Sequence, residues 1–231
     1  MEEQRTKEWY LKRIGYITGS RCGVLFGKGW TGEPFSKTAL SYIYQIASER
    51  TMNPIFFEDD DKFEMYREMV DNTSKAMRLG TEIEPVSREW YCNVSGNNVV
   101  ETGSLPHKEI PMFSASPDGI IERDVKTGRK GCFETKSPSQ YTWMQYVVEV
   151  HTADDLKKIN PEYYYQTFAE MICADAEFTD FVVFNPLQLT KGHIIRIERD
   201  DKVVKAIEER VKEANDYINN LIDKYIKTQP A

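Results

Sequence analysis

The chain has 231 residues and a mass of 26.9 kDa; 40% of it is apolar and 29% charged, and 37 acidic side chains outweigh 30 basic ones for a net charge of −7. That balance excludes a disordered or collagen-like chain, no apolar run approaches the ~18 residues of a membrane span, and the charged opening MEEQRTKEW does not read as a signal peptide. Four cysteines lie 70, 40 and 41 residues apart with no C-x-x-C pair, and the three histidines are scattered, which disfavours a zinc module or disulfide framework and makes a reducing cytoplasm the expected setting.

No repeat, low-complexity tract or linker interrupts the chain, so residues 1–231 are expected to form one domain. In residues 36–50, Leu40, Ile43, Tyr44, Ile46 and Ala47 recur at helical spacing behind Ser36, a plausible N-cap. The acidic stretch Glu58–Asp61 reads as an exposed loop or helix start. A second helix is expected over 72–92, with Met77, Leu79, Ile83 and Trp90 on its apolar side and Pro85 marking a kink or fresh start. From 97 to 137 the period shifts towards two, giving short strands at 98–102, 109–114, 119–124 and 131–137. Ser116-Pro117-Asp118-Gly119 is a turn signature between them, and residues 127–131 form a hairpin tip. Helices follow at 139–150 and 161–174, strands at 180–185 and 193–198, and a long amphipathic helix at 200–226. The sum is an α/β (α+β) fold, a central mixed β-sheet flanked by helices.

The segment richest in chemistry is S-P-D-G-I-I-E followed by G-C-F-E-T-K. Asp118 opens one strand, and Glu134 follows sixteen residues later in the next. Because side chains alternate along a strand, Glu134 and Lys136 share a face while Thr135 points to the other. If the strands pair, two carboxylates and one ammonium meet at a sheet edge. Carboxylates hold hard divalent cations such as Mg²⁺, and a neighbouring lysine can orient water or stabilise charge growing on a phosphate. Acidic net charge argues against a nucleic-acid coat protein or an anionic-membrane binder, but leaves room for an enzyme with a local basic groove.

Gly-x-x-x-Glu ending at Glu84, Ser-Pro-Asp-Gly, Glu-x-Lys and Tyr-x-x-Gln ending at Gln166, in this order, resemble the lambda exonuclease family (YqaJ-type viral recombinase nucleases) of the PD-(D/E)xK superfamily. Trp9 to Ser20 is similar to that family's W-x-x-x-R-x-G-x-I-T-A-S signature, and Gly27 to Trp30 and Ser41-Tyr42 also have counterparts. The resemblance implies a restriction-endonuclease-like PD-(D/E)xK core. It implies that Asp118, Glu134 and the Thr135 carbonyl bind the catalytic metal, Mg²⁺ or Mn²⁺, with Glu84 completing the shell or holding a second ion. Lys136 would then handle the attacking water and Gln166 sit near the scissile phosphate. Arg13, Ser20 and Ser116 would form a pocket for a DNA 5′-phosphate, chemistry that suits a guanidinium fork and hydroxyl donors. It further implies a 5′-to-3′ exonuclease on double-stranded DNA ends that releases mononucleotides and leaves 3′ tails. A homotrimeric ring, a single-strand annealing protein as partner, no membrane association and a cytoplasmic phage or prophage setting complete the expectation.

Several of these residues have plainer readings. Arg13 could be a surface arginine, Ser20 the N-cap of a helix over 21–26, Ser116 a turn residue, and Gln166 a buried amide satisfied by backbone. Two departures stand out: Gly19 replaces the family's alanine, which could loosen the backbone, and Ser139 to Thr142 stand where the family carries a basic residue. Lys126, Arg129 and Lys130 at the hairpin tip are candidate substitutes for that contact. Trp30 and Tyr42 are candidates to line a DNA passage, whereas Trp143, Tyr146, His151 and His193 read as structural. The alternatives are another nuclease of the superfamily, RecB-like, Cas4-like or a structure-specific endonuclease, and a non-catalytic DNA-binding relative. An iron–sulfur relative would need clustered cysteines.

Overall fold

The computed structural model describes residues 6–30, 32–70 and 74–228, with residues 75–77 described for their backbone alone. The chain opens with α1 (Lys7–Leu11), β1 (Ile17–Thr18) and α2 (Gly19–Cys22), which runs into a 3₁₀ turn (Gly23–Phe26). Then come α3 (Lys37–Arg50), α4 (Ile55–Glu58), α5 (Asp60–Val70) and α6 (Lys75–Ser95). The sheet-forming stretch holds β2 (Leu105–Pro106), β3 (Phe113–Ala115), β4 (Gly119–Ile121) and β5 (Gly131–Lys136). The remainder is α7 (Gln140–Glu149), α8 (Ala153–Ile159), α9 (Pro161–Ala174), β6 (Phe178–Phe184), β7 (Gly192–Glu198) and α10 (Asp201–Lys227).

The expected caps hold these ends. Ser36 Oγ accepts from the Ala39 N–H at 3.2 Å, so α3 starts where its apolar stripe begins, and that stripe buries Ala39, Tyr42, Ile43, Ile46 and Ala47. Thr152 and Asp155 form a reciprocal capping box at α8. At α9, Asn160 Oδ1 accepts from the Tyr163 N–H at 3.1 Å and Pro161 occupies the first turn, where its missing donor costs nothing.

The strands form two mixed sheets rather than one: β1-β3-β2 and β4-β5-β6-β7. The chain passes from one to the other at Ser116-Pro117-Asp118, between β3 and β4, where the proline has no N–H to give to a ladder. In the larger sheet β4 and β5 are antiparallel, β5 and β6 parallel, and β6 and β7 antiparallel. Both central strands are almost wholly buried, as strands covered on two faces must be. Alternation sorts their side chains. Phe133, Phe178, Val182 and Phe184 pack with Tyr91 of α6, while Cys132, Phe181 and Val183 join the main core with α7 and α9.

Three expected strands are shorter than their patterns. That over 119–124 ends at Ile121. Residues 98–102 contribute one bridged pair, Val100 with Ile120. Residues 109–112 are a turn: His107 Nδ1 accepts the N–H groups of Glu109 and Ile110 at 2.9 Å each, and Met112 takes φ +57°, so β3 starts only at Phe113. The helix expected from 72 is observed from Lys75, its first two residues lying outside the described residues; Pro85 is exposed and does not end it.

Glycine at 19 has a packing reason. A Cβ there would lie 2.8 Å from Ala115 Cβ and 3.3 Å from Ala169 Cβ, so α2 seats against β3 and α9 by lacking one. Ala115 has no flexible side chain to yield. Gly19→Ala is therefore expected to lower stability by about 1–3 kcal/mol, the usual cost of overpacking, read as a shift in the denaturation midpoint. An unchanged midpoint would show that the backbones can separate freely.

Candidate active site

The antiparallel register pairs Gly119 with Phe133, and one step further sets Asp118 opposite Glu134. The chain locks this arrangement with a bond of its own, the Thr135 N–H donating to Asp118 Oδ2 at 2.9 Å. Glu134 is 1% exposed and its Oε1 accepts from Lys136 Nζ at 2.5 Å and from Gln166 Nε2 at 2.6 Å. Asp118, Glu134, Lys136 and Gln166 thus converge at one end of the β4–β5 pair, against α9. Lys136 Nζ also lies 5.1 Å from the centre of the Tyr163 ring. Thr135 points the other way, its Oγ1 bonded to Ser87 Oγ of α6 at 2.6 Å, which ties β5 to the helix carrying Glu84. Arg88 holds Glu84 through an Nη2–Oε1 contact of 3.3 Å and also pairs with Glu101.

Electrostatics follow from this crowding. Burial first, then the charges of Glu134 and Glu84, push the Asp118 carboxyl well above the usual carboxylate range. Burial would lower the Lys136 ammonium, but Glu134 and Asp118 outweigh it and hold its pKa above the ordinary lysine value. Among the described residues no three His, Cys, Asp or Glu side chains form a ready cation cage. Even so, Glu134 Oε2 is buried without a hydrogen-bond partner. A donorless carboxylate oxygen beside a second carboxylate is the kind of donor set a hard divalent cation takes.

A second locus lies beside β3. Arg13 Nη1 donates to Ser116 Oγ at 2.7 Å and its guanidinium lies 4.3 Å from the Trp9 ring centre. No carboxylate pairs with it among the described residues, and burial lowers its pKa. It lines a cavity of about 220 Å³ with Tyr10, Thr18, Arg21, Tyr42 and Glu49. Glu49 is already engaged, accepting from the Gly15 N–H at 2.8 Å and from Gln45 at 2.9 Å. Ser20 is exposed within α2 and does not line this cavity; Thr18, not Ser20, holds the position before that helix. Sequence reasoning missed Arg21, whose guanidinium lies 5.0 Å from the Tyr42 ring centre at the same cavity.

The other candidates separate cleanly. Arg129 makes a two-pronged pair with Glu198 at 2.7 and 2.9 Å, and Lys130 Nζ donates to the Ala174 carbonyl at 2.8 Å, so the hairpin tip spends two of its three cations on the fold. Trp30 is 82% exposed, whereas Tyr42 is buried and its OH accepts the Thr18 N–H at 3.0 Å. Trp143 and Tyr146 are core residues, and His193 bonds the Val150 carbonyl at 2.7 Å. Unforeseen altogether was Glu170, 1% exposed and bonded to Gln166. Its signal was available: an acid amid the apolar run Phe168 to Ile172, one turn from the glutamine.

Residues 8–177 match the model of the YqaJ-like viral recombinase domain. The chain belongs to that family. Among solved structures it is similar to the alkaline exonuclease LHK-Exo from Laribacter hongkongensis, with 27% identity, 96% of each chain covered and a TM-score of 0.74. LHK-Exo in complex with dAMP matches at 27% identity and a TM-score of 0.72, over 97% of this chain and all (100%) of that one. A phage-related exonuclease from Haemophilus somnus 129PT shares the fold at 16% identity, with a TM-score of 0.64 over 93% of this chain and 99% of that one. A search of curated protein sequences finds no match. The family resemblance seen in the motifs is thereby borne out, as is the mixed α/β architecture. No helix among the described residues is long and apolar enough to cross a membrane.

Proposed function

We propose that this nuclease of the lambda-exonuclease type degrades one strand of duplex DNA from a 5′ end, releasing mononucleotides and leaving 3′ single-stranded tails for recombination by annealing. The observation that carries the reading is the convergence at one sheet end of Glu134, hydrogen-bonded to Lys136 and Gln166, with Asp118, which is hydrogen-bonded to the Thr135 backbone beside it. The likeness to LHK-Exo, a relative crystallised with the mononucleotide dAMP, supports it. Asp118 and Glu134, with the Thr135 carbonyl and Glu84, would hold Mg²⁺ or Mn²⁺. Such a cation lowers the pKa of a bound water and offsets charge on the phosphate oxygens. Lys136, held by Glu134, would orient the attacking water and stabilise charge developing on the phosphate oxygens. Arg13, Ser116 and Ser20 would take the terminal 5′-phosphate.

The wider reading has the chain acting in the cytoplasm of a phage-bearing cell as one domain of a homotrimeric ring around DNA, alongside a single-strand annealing protein. A closed ring lets a modest basic lining hold DNA despite the net charge of −7. The test is digestion of 5′-phosphorylated linear duplex with Mg²⁺ or with EDTA, beside a covalently closed circle. Loss of the 5′-ended strand as mononucleotides, with Mg²⁺ only and on the linear substrate only, is expected. Cutting of the circle would favour an endonuclease, and no release from either would leave a DNA-binding relative.

Arg13→Ala supplies a second prediction. A hydrogen bond to a charged group contributes about 1.5–3 kcal/mol, so cleavage of 5′-phosphorylated ends should fall about 10- to 100-fold, and that of 5′-hydroxyl ends far less. Equal losses on both ends would remove the phosphate pocket.

A further inference from the structure

Glu170 lies one turn beyond Gln166 on α9, 1% exposed, among the apolar Phe168, Ala169, Met171 and Ile172. A carboxyl so placed is costly unless its oxygens are used, and only Oε1 is: Oε2 is buried without a hydrogen-bond partner. Gln166 Nε2 donates to Glu170 Oε1 at 2.8 Å and to Glu134 Oε1 at 2.6 Å. A primary amide has two N–H donors, so both are committed to carboxyl groups. The reversed amide would set its carbonyl oxygen against Glu134 Oε1, an acceptor that Lys136 already bonds, which fixes which end of Gln166 is which. Its Oε1 meets no protein donor among the described residues and is not among the buried unpartnered atoms.

We propose, resting on the nuclease reading above, that Glu170 is a positioning residue. Together with Glu134 it locks the Gln166 amide, so that the carbonyl Oε1 is the one group this side chain offers the reaction. Gln166 then serves as a hydrogen-bond acceptor for the attacking water and donates to no phosphate oxygen. Glu170 acts through the acceptor it presents, not through its charge.

The experiment measures kcat, KM for a 5′-phosphorylated duplex, and melting temperature in four variants. Glu170→Met fills the site without an acceptor and should lower kcat about 10- to 100-fold, as misplacing a positioned group does, with KM little changed. Glu170→Gln keeps a carbonyl at the same place and should retain wild-type kcat. Gln166→Met should lose at least as much kcat as E170M, and adding E170M to it should cost nothing more, the non-additivity expected of residues acting as one unit. A purely structural glutamate would instead move the melting temperature and leave kcat alone. Wild-type kcat in E170M, or equal losses in E170M and E170Q, overturns the proposal. Where E170M does not fold, Glu170→Ala takes its place and is read the same way, and a tenfold loss of kcat in E170Q at an unchanged melting temperature still refutes the acceptor role. An inactive wild-type protein overturns the nuclease reading and this one with it, whereas an active wild type with an equally active E170M overturns this one alone.

Discussion

Asp118→Asn and Lys136→Ala should each reduce nucleotide release by about 10²–10⁴-fold, the span typical of removing a group that handles protons or developing charge, while leaving the fold in place. The amide introduced by D118N would keep an oxygen for the Thr135 N–H, now 2.9 Å from Asp118 Oδ2, so the β4–β5 register need not change. It would also remove one of three mutually repelling carboxyl groups, since Glu134 and Glu84 both press on Asp118. D118N is therefore expected to melt at or above the wild-type temperature at neutral pH, a sign that the carboxylate is kept at the expense of stability. Lys136→Ala differs: it strips Glu134 Oε1 of its ammonium partner at 2.5 Å and leaves Gln166 alone to hold it. Its melting temperature should fall along with its activity. The measurements are mononucleotide release with Mg²⁺ present and a thermal melt on the same samples. Wild-type rates in either variant would sink the site.

How much of this was legible beforehand depends on the range of the interaction. The strand carrying Glu134, Thr135 and Lys136 and the helix carrying Gln166 were both readable, because their apolar periods run long enough to stand out and each ends at a turn or cap. Alternation placed Glu134 and Lys136 on one face, but the approach of Asp118 to Glu134 rested on the two strands pairing, which the β4–β5 register supplies. The split into two sheets was not legible, since β1 and β2 are two residues each and carry no period. Nor was the turn over 109–112, which hangs on the His107 side chain capping two backbone donors, an arrangement that a count of apolar positions does not register. Helix α8 was missed although Thr152 and Asp155 spell a capping box. Gly19 was read as a source of looseness when it is a point of close approach to Ala115. Glu170 shows the limit most directly: its partner Gln166 was singled out, yet what the amide donates to is settled only when α9 lies across β5.

Asp180→Ala is expected to be the most damaging substitution outside the active site, lowering stability by about 3 kcal/mol, the upper end of what losing a hydrogen-bond partner of a charged group costs. Asp180 is 2% exposed on β6 and accepts from Arg196 Nε at 2.8 Å, Arg196 Nη2 at 2.7 Å and Tyr91 OH at 2.5 Å. The same guanidinium reaches Asp124 at 3.0 Å, and Asn97 Nδ2 joins Asp124 to Tyr91 at 2.9 Å each way. One network therefore pins α6, the 124–129 turn, β6 and β7 together behind the site. For a chain of this size the loss corresponds to a drop of about 10 °C in melting temperature. The network also predicts acid lability. Hydrogen bonds from Arg196 first, then from Thr127 and Asn97, outweigh burial and hold the Asp124 carboxyl well below its ordinary value. A depressed carboxyl contributes its full stabilisation above the unfolded-state value of about 3.9 and loses it as pH falls further towards its own pKa. Stability should thus decline steeply below about pH 4, and Asp124→Asn should flatten that decline while lowering the plateau above it. Should the wild type and D124N lose stability in parallel across that acid range, Asp124 is not the group that responds.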